Sequence, residues 1–340
     1  MSFKNDIRLE DLVLISSTKN YYFARKIAEY LNKNLCKTER VDFRDTDLKV
    51  RIADSETVRG KDVYLIMTFY KSIPERQYEL QNWTDALISG AAERLTFVLP
   101  YMYGSRQDRK TKRGEPINIR TNINAIFGVA REHQSRVGFM TIDLHSGQSQ
   151  ALAHYFDNLT ALPLFAYHAK KYYKNIVVVS PDAGGAKRAE DLANLVNAEG
   201  LAWIAKTRPE EGEAEVYGLS GDSVRGKTAI IIDDIIDSAG TLLKAYELLK
   251  KEKVNKVVVY ATHLLLNHPA EKRIMKMKDA DIIGTDTVWH KEEKLKKLGI
   301  KIIPVAPLFA EAIKRKHLAI TTRELYEERV ISICGLDKYI

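Results

Sequence analysis

Eight short, continuously apolar runs constrain this chain more than any other feature. They are LVLISS (12–17), DVYLIMTF (62–69), LTFVLPYMY (95–103), VGFMTIDLH (137–145), NIVVVSPD (175–182), TAIIIDD (228–234), KVVVYATHL (256–264) and IIGTD (282–286). A strand with one wet face alternates apolar and polar residues, whereas a strand covered on both faces does not. Amphipathic stretches separate the runs, among them YYFARKIAEYLNKNL, YELQNWTDALISGAAE, NINAIFGVAREH, GAKRAEDLANLVNAEG and GTLLKAYELLKKEK. Helices placed this way fit right-handed crossovers, so the pattern predicts an α/β fold of mostly parallel sheets. About nine or ten strands are many for one sheet, which predicts two α/β units. The least committed stretch is DNLTALPLFAYH (157–168). The expected domains are therefore 1–160 and 161–320, with 321–340 as a charged tail that packs on either half.

Composition removes several classes. With 18 Gly and 9 Pro in 340 residues and 45% apolar residues, the chain is neither collagen-like nor disordered. Cys36 and Cys334 are its only cysteines, too few for a disulfide framework or a four-ligand zinc site. A reducing, cytoplasmic setting is expected. The first eleven residues are charged throughout and contain no cleavable apolar stretch, and no run reaches 18 apolar residues, so no membrane association is expected. A net charge of +8 suits nucleic acid, anionic membranes or phosphorylated small molecules, and does not choose among them.

The sharpest chemical motif is TAIIIDDIIDSAGT (228–241). A buried strand runs into Asp233 and Asp234. A loop of Asp237, Ser238, Ala239 and Gly240 follows, and Thr241 opens a helix. Ligands of open α/β sheets sit beyond the carboxyl ends of the strands. Small residues let backbone N–H groups approach a phosphate, and a helix N-terminus favours its charge. Adjacent carboxylates do not suit the phosphate itself. They suit a vicinal diol, or Mg²⁺ with its water shell. The Gly-Lys-Ser/Thr core of a Walker loop is absent.

This motif resembles the ribose 5-phosphate-binding loop of type I phosphoribosyltransferases and of phosphoribosyl pyrophosphate (PRPP) synthetases. YGSRQDRK (103–110), TIDLHSGQSQ (141–150), SPDAGGAKRA (180–189) and AKTRPE (205–210) resemble PRPP synthetase motifs in that family's order and at similar spacing, so that the likeness covers roughly residues 10–310. The resemblance implies two type I phosphoribosyltransferase-like domains. It implies transfer of the pyrophosphoryl group of ATP to the anomeric hydroxyl of ribose 5-phosphate, giving PRPP and AMP.

By the same resemblance, Asp233, Asp234, Asp237, Ser238, Ala239, Gly240 and Thr241 bind ribose 5-phosphate, together with Arg208. His145 and Asp182 hold Mg²⁺ on the nucleotide phosphates, His145 directly or through a metal-bound water. Lys206 and Arg208 lie on a flexible catalytic loop that closes over the phosphates. Arg106 and Gln107 contact ATP. An arginine fork suits phosphate oxygens, and its plane can stack on a base. VDFRDTDLKVRI (41–52) resembles the adenine-binding loop, with Phe43 stacking on the base and Asp45 and Asp47 accepting hydrogen bonds. Here Arg-Asp-Thr-Asp stands where the family has Ser-Asp-Gly-Glu after the Phe. The loop reaches a neighbouring subunit's nucleotide in the family, which implies a homo-oligomer built on dimers, up to a hexamer.

Blander readings stand beside these. The six basic residues of 104–120 resemble a nucleic-acid patch in charge, but no aromatic residue is interleaved for stacking, so nucleic acid is not an expected partner. His263 ends an apolar strand and reads as structural. The alternatives to an active synthetase are a non-catalytic regulatory homologue, which should have lost part of the loop or metal pair, and a phosphoribosyltransferase, which would not need SRQDRK or KTR.

Overall fold

The computed structural model describes residues 9–17, 22–45, 47–68, 72–182, 184–207 and 216–340. The chain divides into two compact units. The first comprises 1–160, 287–289 and 305–325, and the second 161–286, 290–304 and 326–340. The segment 305–320, assigned from sequence to the second half, thus clusters with the first unit, and the expected tail is shared between the two.

In chain order the first unit contains β1 (Leu12–Ser16), α1 (Tyr22–Tyr30), β2 (Thr38–Asp42), β3 (Leu48–Ile52), β4 (Asp62–Ile66), α2 (Ile73–Ser89), β5 (Arg94–Val98), α3 (Asn118–Ala130), β6 (Val137–Ile142) and β7 (Tyr155–Leu159). Five strands form a sheet in the order β1-β4-β5-β6-β7, every pair parallel. Strand β4 is buried at every position, as its unbroken DVYLI run requires. β2 and β3 form a separate antiparallel hairpin.

The second unit contains α4 (Leu162–Tyr172), β8 (Ile176–Ser180), α5 (Ala186–Val196), β9 (Gly200–Thr207), β10 (Val216–Gly221), β11 (Thr228–Ile236), α6 (Gly240–Lys251), β12 (Lys256–Leu264), α7 (Ala270–Ile274), β13 (Ala280–Thr285), α8 (Glu292–Leu298) and β14 (Ile300–Ile303). Helix α9 (Ala306–His317) returns to the first unit, and α10 (Val330–Ile333) lies in the second. The seven-stranded sheet runs β10-β9-β8-β11-β12-β13-β14 and is parallel except at β9/β10. Its core joins Val177, Val179, Ile231, Val257 and Val259 of the strands to Leu242, Ala245 and Leu249 of α6. The α/β architecture of parallel sheets flanked by helices is the one that the apolar runs predict.

Candidate active site

In the second unit, Asp233 and Asp234 belong to β11, as the motif predicts, and the strand continues to Ile236, with Asp233 opposite Ala261 of β12. Pleating turns them to different surroundings: 35% of the Asp233 side chain is exposed, against 5% for Asp234. The Asp234 amide donates to Asp233 Oδ1 at 2.8 Å. Arg188, in the first turn of α5, places Nη1 at 3.2 Å from Asp234 Oδ1 and 3.7 Å from Asp233 Oδ1. Desolvation and the neighbouring Asp234 carboxyl push the Asp233 carboxyl up from its ordinary pKa, and the Arg188 guanidinium opposes that rise.

The loop after β11 is tied down from downstream. Asn267 Nδ2 donates to Asp237 Oδ1 at 2.7 Å, and Arg273 Nη1 donates to the Ser238 carbonyl at 3.0 Å. Ala239 adopts a left-handed conformation (φ 57°, ψ 24°), and α6 begins at the next residue. Left-handed backbone followed by a helix start turns successive N–H groups into one concave face, the geometry of an anion nest. Thr241 lies in the first turn of that helix.

The loop after β8 is held by local hydrogen bonds. Asp182 Oδ1 accepts the Gly185 amide at 2.9 Å, and Ser180 Oγ donates to the Asp182 carbonyl at 2.6 Å. A Cβ on Gly185 would stand 3.0 Å from Ser180 Oγ, so a side chain there would crowd the serine hydroxyl that holds the turn. Asp182 itself is exposed.

In the first unit the chain leaves β6 through Asp143, whose φ is +44°. Asp143 N donates to the Leu159 carbonyl at 2.9 Å, and Leu144 N to Asn158 Oδ1 at 3.0 Å. These bonds present the exposed His145 in a cleft of about 210 Å³ with Arg106, Gln107 and Arg109. Glu115 shapes the basic side of the cleft by accepting the amides of Thr111 and Lys112 at 2.8 and 2.9 Å, bonds that hold its carboxyl below the usual range. Asn118, at the start of α3, donates to Gln107 Oε1. Gly104 is obligatory there: its φ is +78° and a Cβ would stand 2.6 Å from Asn122 Nδ2.

Phe43, Asp45 and Asp47 lie on the turn of the β2–β3 hairpin, closed by the Phe43 N to Asp47 carbonyl bond of 2.8 Å. Phe43 is 48% exposed and lines a separate cleft of about 520 Å³ with Arg40, Glu75 and Tyr78. Asp47 Oδ1 accepts from Tyr78 Oη and Leu48 N, both at 2.7 Å, which holds its carboxyl below the usual range. Asp45 Oδ1 accepts from Asp47 N at 3.3 Å. The structure therefore groups Arg106, Gln107 and His145 in one place and Phe43 and Asp47 in another.

Sequence reading treats 206–223 as a polar stretch between strands. Its ends are themselves strand: the Lys206 backbone belongs to β9, opposite Tyr217 of β10. Arg208 lies outside the described residues, as does the Lys206 side chain. Two arginines escape that reading altogether. Arg188 stands inside the SPDAGGAKRA motif, yet nothing in its spacing points to Asp233 and Asp234. Arg273 lies 35 residues beyond Ser238, in a segment without any motif.

The model of the N-terminal domain of ribose phosphate pyrophosphokinase matches residues 12–129, and that of the phosphoribosyl synthetase-associated domain matches 213–326. A ribose-phosphate pyrophosphokinase of Hyphomonas neptunium is 38% identical over 89% of this chain and 95% of its own length. One from Thermotoga maritima is 36% identical over 95% of this chain and 99% of its own. The crystal structure of phosphoribosylpyrophosphate synthetase from Mycobacterium smegmatis superposes with a TM-score of 0.81 at 29% identity, covering 90% of this chain and 98% of that one. On these grounds the chain belongs to the ribose-phosphate pyrophosphokinase family.

Proposed function

We propose that this chain is an ATP-dependent ribose-phosphate pyrophosphokinase, moving the β,γ-pyrophosphoryl group of ATP to the C1 hydroxyl of ribose 5-phosphate and releasing AMP. The observation that carries the reading is the rim of β11 and the start of α6, in a chain that spans the family almost end to end. Asp233 and Asp234 accept the sugar's vicinal hydroxyls. The amides and hydroxyls of 237–241 hold its 5′-phosphate. Arg106 and Gln107 bind the nucleotide, and Phe43 with Asp45 and Asp47 recognises the base. Displacement at a crowded anionic phosphorus depends on positioning and on positive charge aimed at the transition state, the part given to Lys206 and Arg208.

Magnesium fits the donors present. The ion keeps several waters and takes one or two carboxylates plus substrate phosphate oxygens. Asp182 and His145 are both exposed, and among the described residues no three His, Cys, Asp or Glu side chains form an all-protein cage. Asp182 and His145 would hold Mg²⁺, which when bound screens the triphosphate charge. Phe43 on an exposed hairpin, in a cleft apart from His145, supports a homo-oligomer in which one copy completes the nucleotide site of another. No described helix is long and apolar enough to cross a membrane, and the scarcity of cysteine supports a cytoplasmic setting.

The test is a product assay with ribose 5-phosphate and each of several nucleoside triphosphates, with and without Mg²⁺. AMP and PRPP in equal amounts, dependent on Mg²⁺, is the expected outcome. Substrate binding without AMP would instead identify a regulatory homologue. Pyrophosphate release with a nucleobase, independent of ATP, would identify a phosphoribosyltransferase.

A further inference from the structure

The phosphate cradle Asp237-Ser238-Ala239-Gly240-Thr241 contains no basic residue, yet a phosphate monoester carries about two negative charges at neutral pH. The fold brings a cation to it from α7. Arg273 Nη1 lies 3.0 Å from the Ser238 carbonyl oxygen. A Cβ built on Gly240 would stand 3.1 Å from the same nitrogen and 3.5 Å from Cζ, so the guanidinium packs directly against the first residue of α6. Its base is fixed, because Ala270 and Ile274 of α7 are buried in the core of the second unit. Asn267, just upstream, engages the Asp237 carboxylate, the one acidic side chain of the cradle.

The stereochemistry of the peptide group gives this contact a consequence. A trans peptide holds its C=O and N–H on opposite sides. With the Ser238 carbonyl anchored to Arg273, the N–H of Ala239 points the opposite way. Ala239 is left-handed and the helix starts at the next residue, so this N–H is the leading donor of the nest. Rotation of the same peptide by half a turn would offer a phosphate a carbonyl oxygen instead of a donor.

We propose that Arg273 is a positioning residue for the 5′-phosphate: by holding the Ser238 carbonyl it keeps the N–H of the 238–239 peptide turned toward the anion. This inference rests on reading 233–241 as the ribose 5-phosphate site.

The experiment uses the full chain and the variants Arg273→Ala, Arg273→Gln and Arg273→Lys. Ribose 5-phosphate, inorganic phosphate and unphosphorylated ribose are titrated calorimetrically without ATP, and KM is measured for both substrates. Loss of one charge-assisted hydrogen bond corresponds to a weakening of roughly ten- to a hundredfold. Arg273→Ala should weaken ribose 5-phosphate and phosphate by that factor, raise the KM for ribose 5-phosphate in step, and leave ribose binding and the KM for ATP within about twofold. Arg273→Gln, whose amide still reaches for a carbonyl, and Arg273→Lys, which keeps the charge, should each recover part of the loss. Unchanged ribose 5-phosphate binding in Arg273→Ala, or equal weakening of ribose and ribose 5-phosphate, overturns the proposal. If Arg273→Ala does not fold, the same binding series on Arg273→Gln decides. Turnover of the wild-type chain judges the proposed reaction, while the binding series judges Arg273.

Discussion

Arg188 shows what a single residue does for this site. Two carboxylates adjacent in sequence at the end of one strand repel each other and resist desolvation, so each tends to keep its proton. A protonated acid loses acceptor capacity for a sugar hydroxyl. Arg188, within 3.2 Å of Asp234 and 3.7 Å of Asp233, works against that tendency. The sign is fixed: acceptor capacity is gained as pH rises through the elevated Asp233 pKa, and removing Arg188 raises that pKa further. Arg188→Ala should therefore bind ribose 5-phosphate more weakly at pH 7 and recover at higher pH than the wild type, with Arg188→Lys close to wild type. Calorimetric titration between pH 6.5 and 9, above the second ionisation of the phosphate, measures this. Superimposable pH profiles would show that Arg188 does not tune the pair. Neither arginine was readable as a partner, because 46 residues separate Arg188 from Asp234 and 35 separate Arg273 from Ser238, and only the folded sheet closes those gaps. Asp182 and Gly185 were readable because their bond is local.

Among the elements, the fully covered strands were legible because burial on both faces leaves an unbroken apolar run. The β2–β3 hairpin was not: only Leu48 and Val50 of its ten strand residues are buried, and β2 carries charges instead of an apolar run. Strand β7 and helix α4 were hidden in the stretch read as a boundary. β7 carries Asp157 in an ion pair with Lys316, and Pro163 lies in the first turn of α4, where a missing N–H costs nothing. Helix α4 packs Phe165 against Tyr260 of β12 at 4.9 Å, and His168 Nδ1 hydrogen-bonds Tyr260 Oη at 2.7 Å. Burial, reinforced by Lys301, lowers the His168 pKa to about 4. A depressed histidine pKa means that the unfolded chain takes up a proton first as pH falls, so stability present above pH 6.5 is lost between there and 4. The loss amounts to about 3 kcal/mol for a shift of this size. His168→Gln, which cannot titrate, should show a shallower fall in denaturant stability over that range than the wild type. Parallel curves would remove His168 from the acid response.

At the level of the whole molecule, the first unit is not continuous in sequence. Helix α9 supplies Leu308, Phe309 and Ile313, all fully buried, with Phe309 edge-on to Phe23 of α1 at 5.3 Å. Burial of three such side chains is worth roughly 5–9 kcal/mol, comparable to the net stability of a domain. His317 adds a 2.8 Å contact to Asp62, which Arg94 also meets at 2.6 Å. A fragment of residues 1–160 should therefore fail to fold cooperatively, showing exposed apolar surface and weak amide protection, while the full chain protects β4 and β5. Hydrogen exchange on both checks this, and a cooperatively folded fragment would refute it. Domains of a nascent chain ordinarily fold from the N-terminus onward. In this chain α9 leaves the ribosome after all seven strands of the second sheet, so the half translated last has its full sheet available before the N-terminal half receives its closing helix.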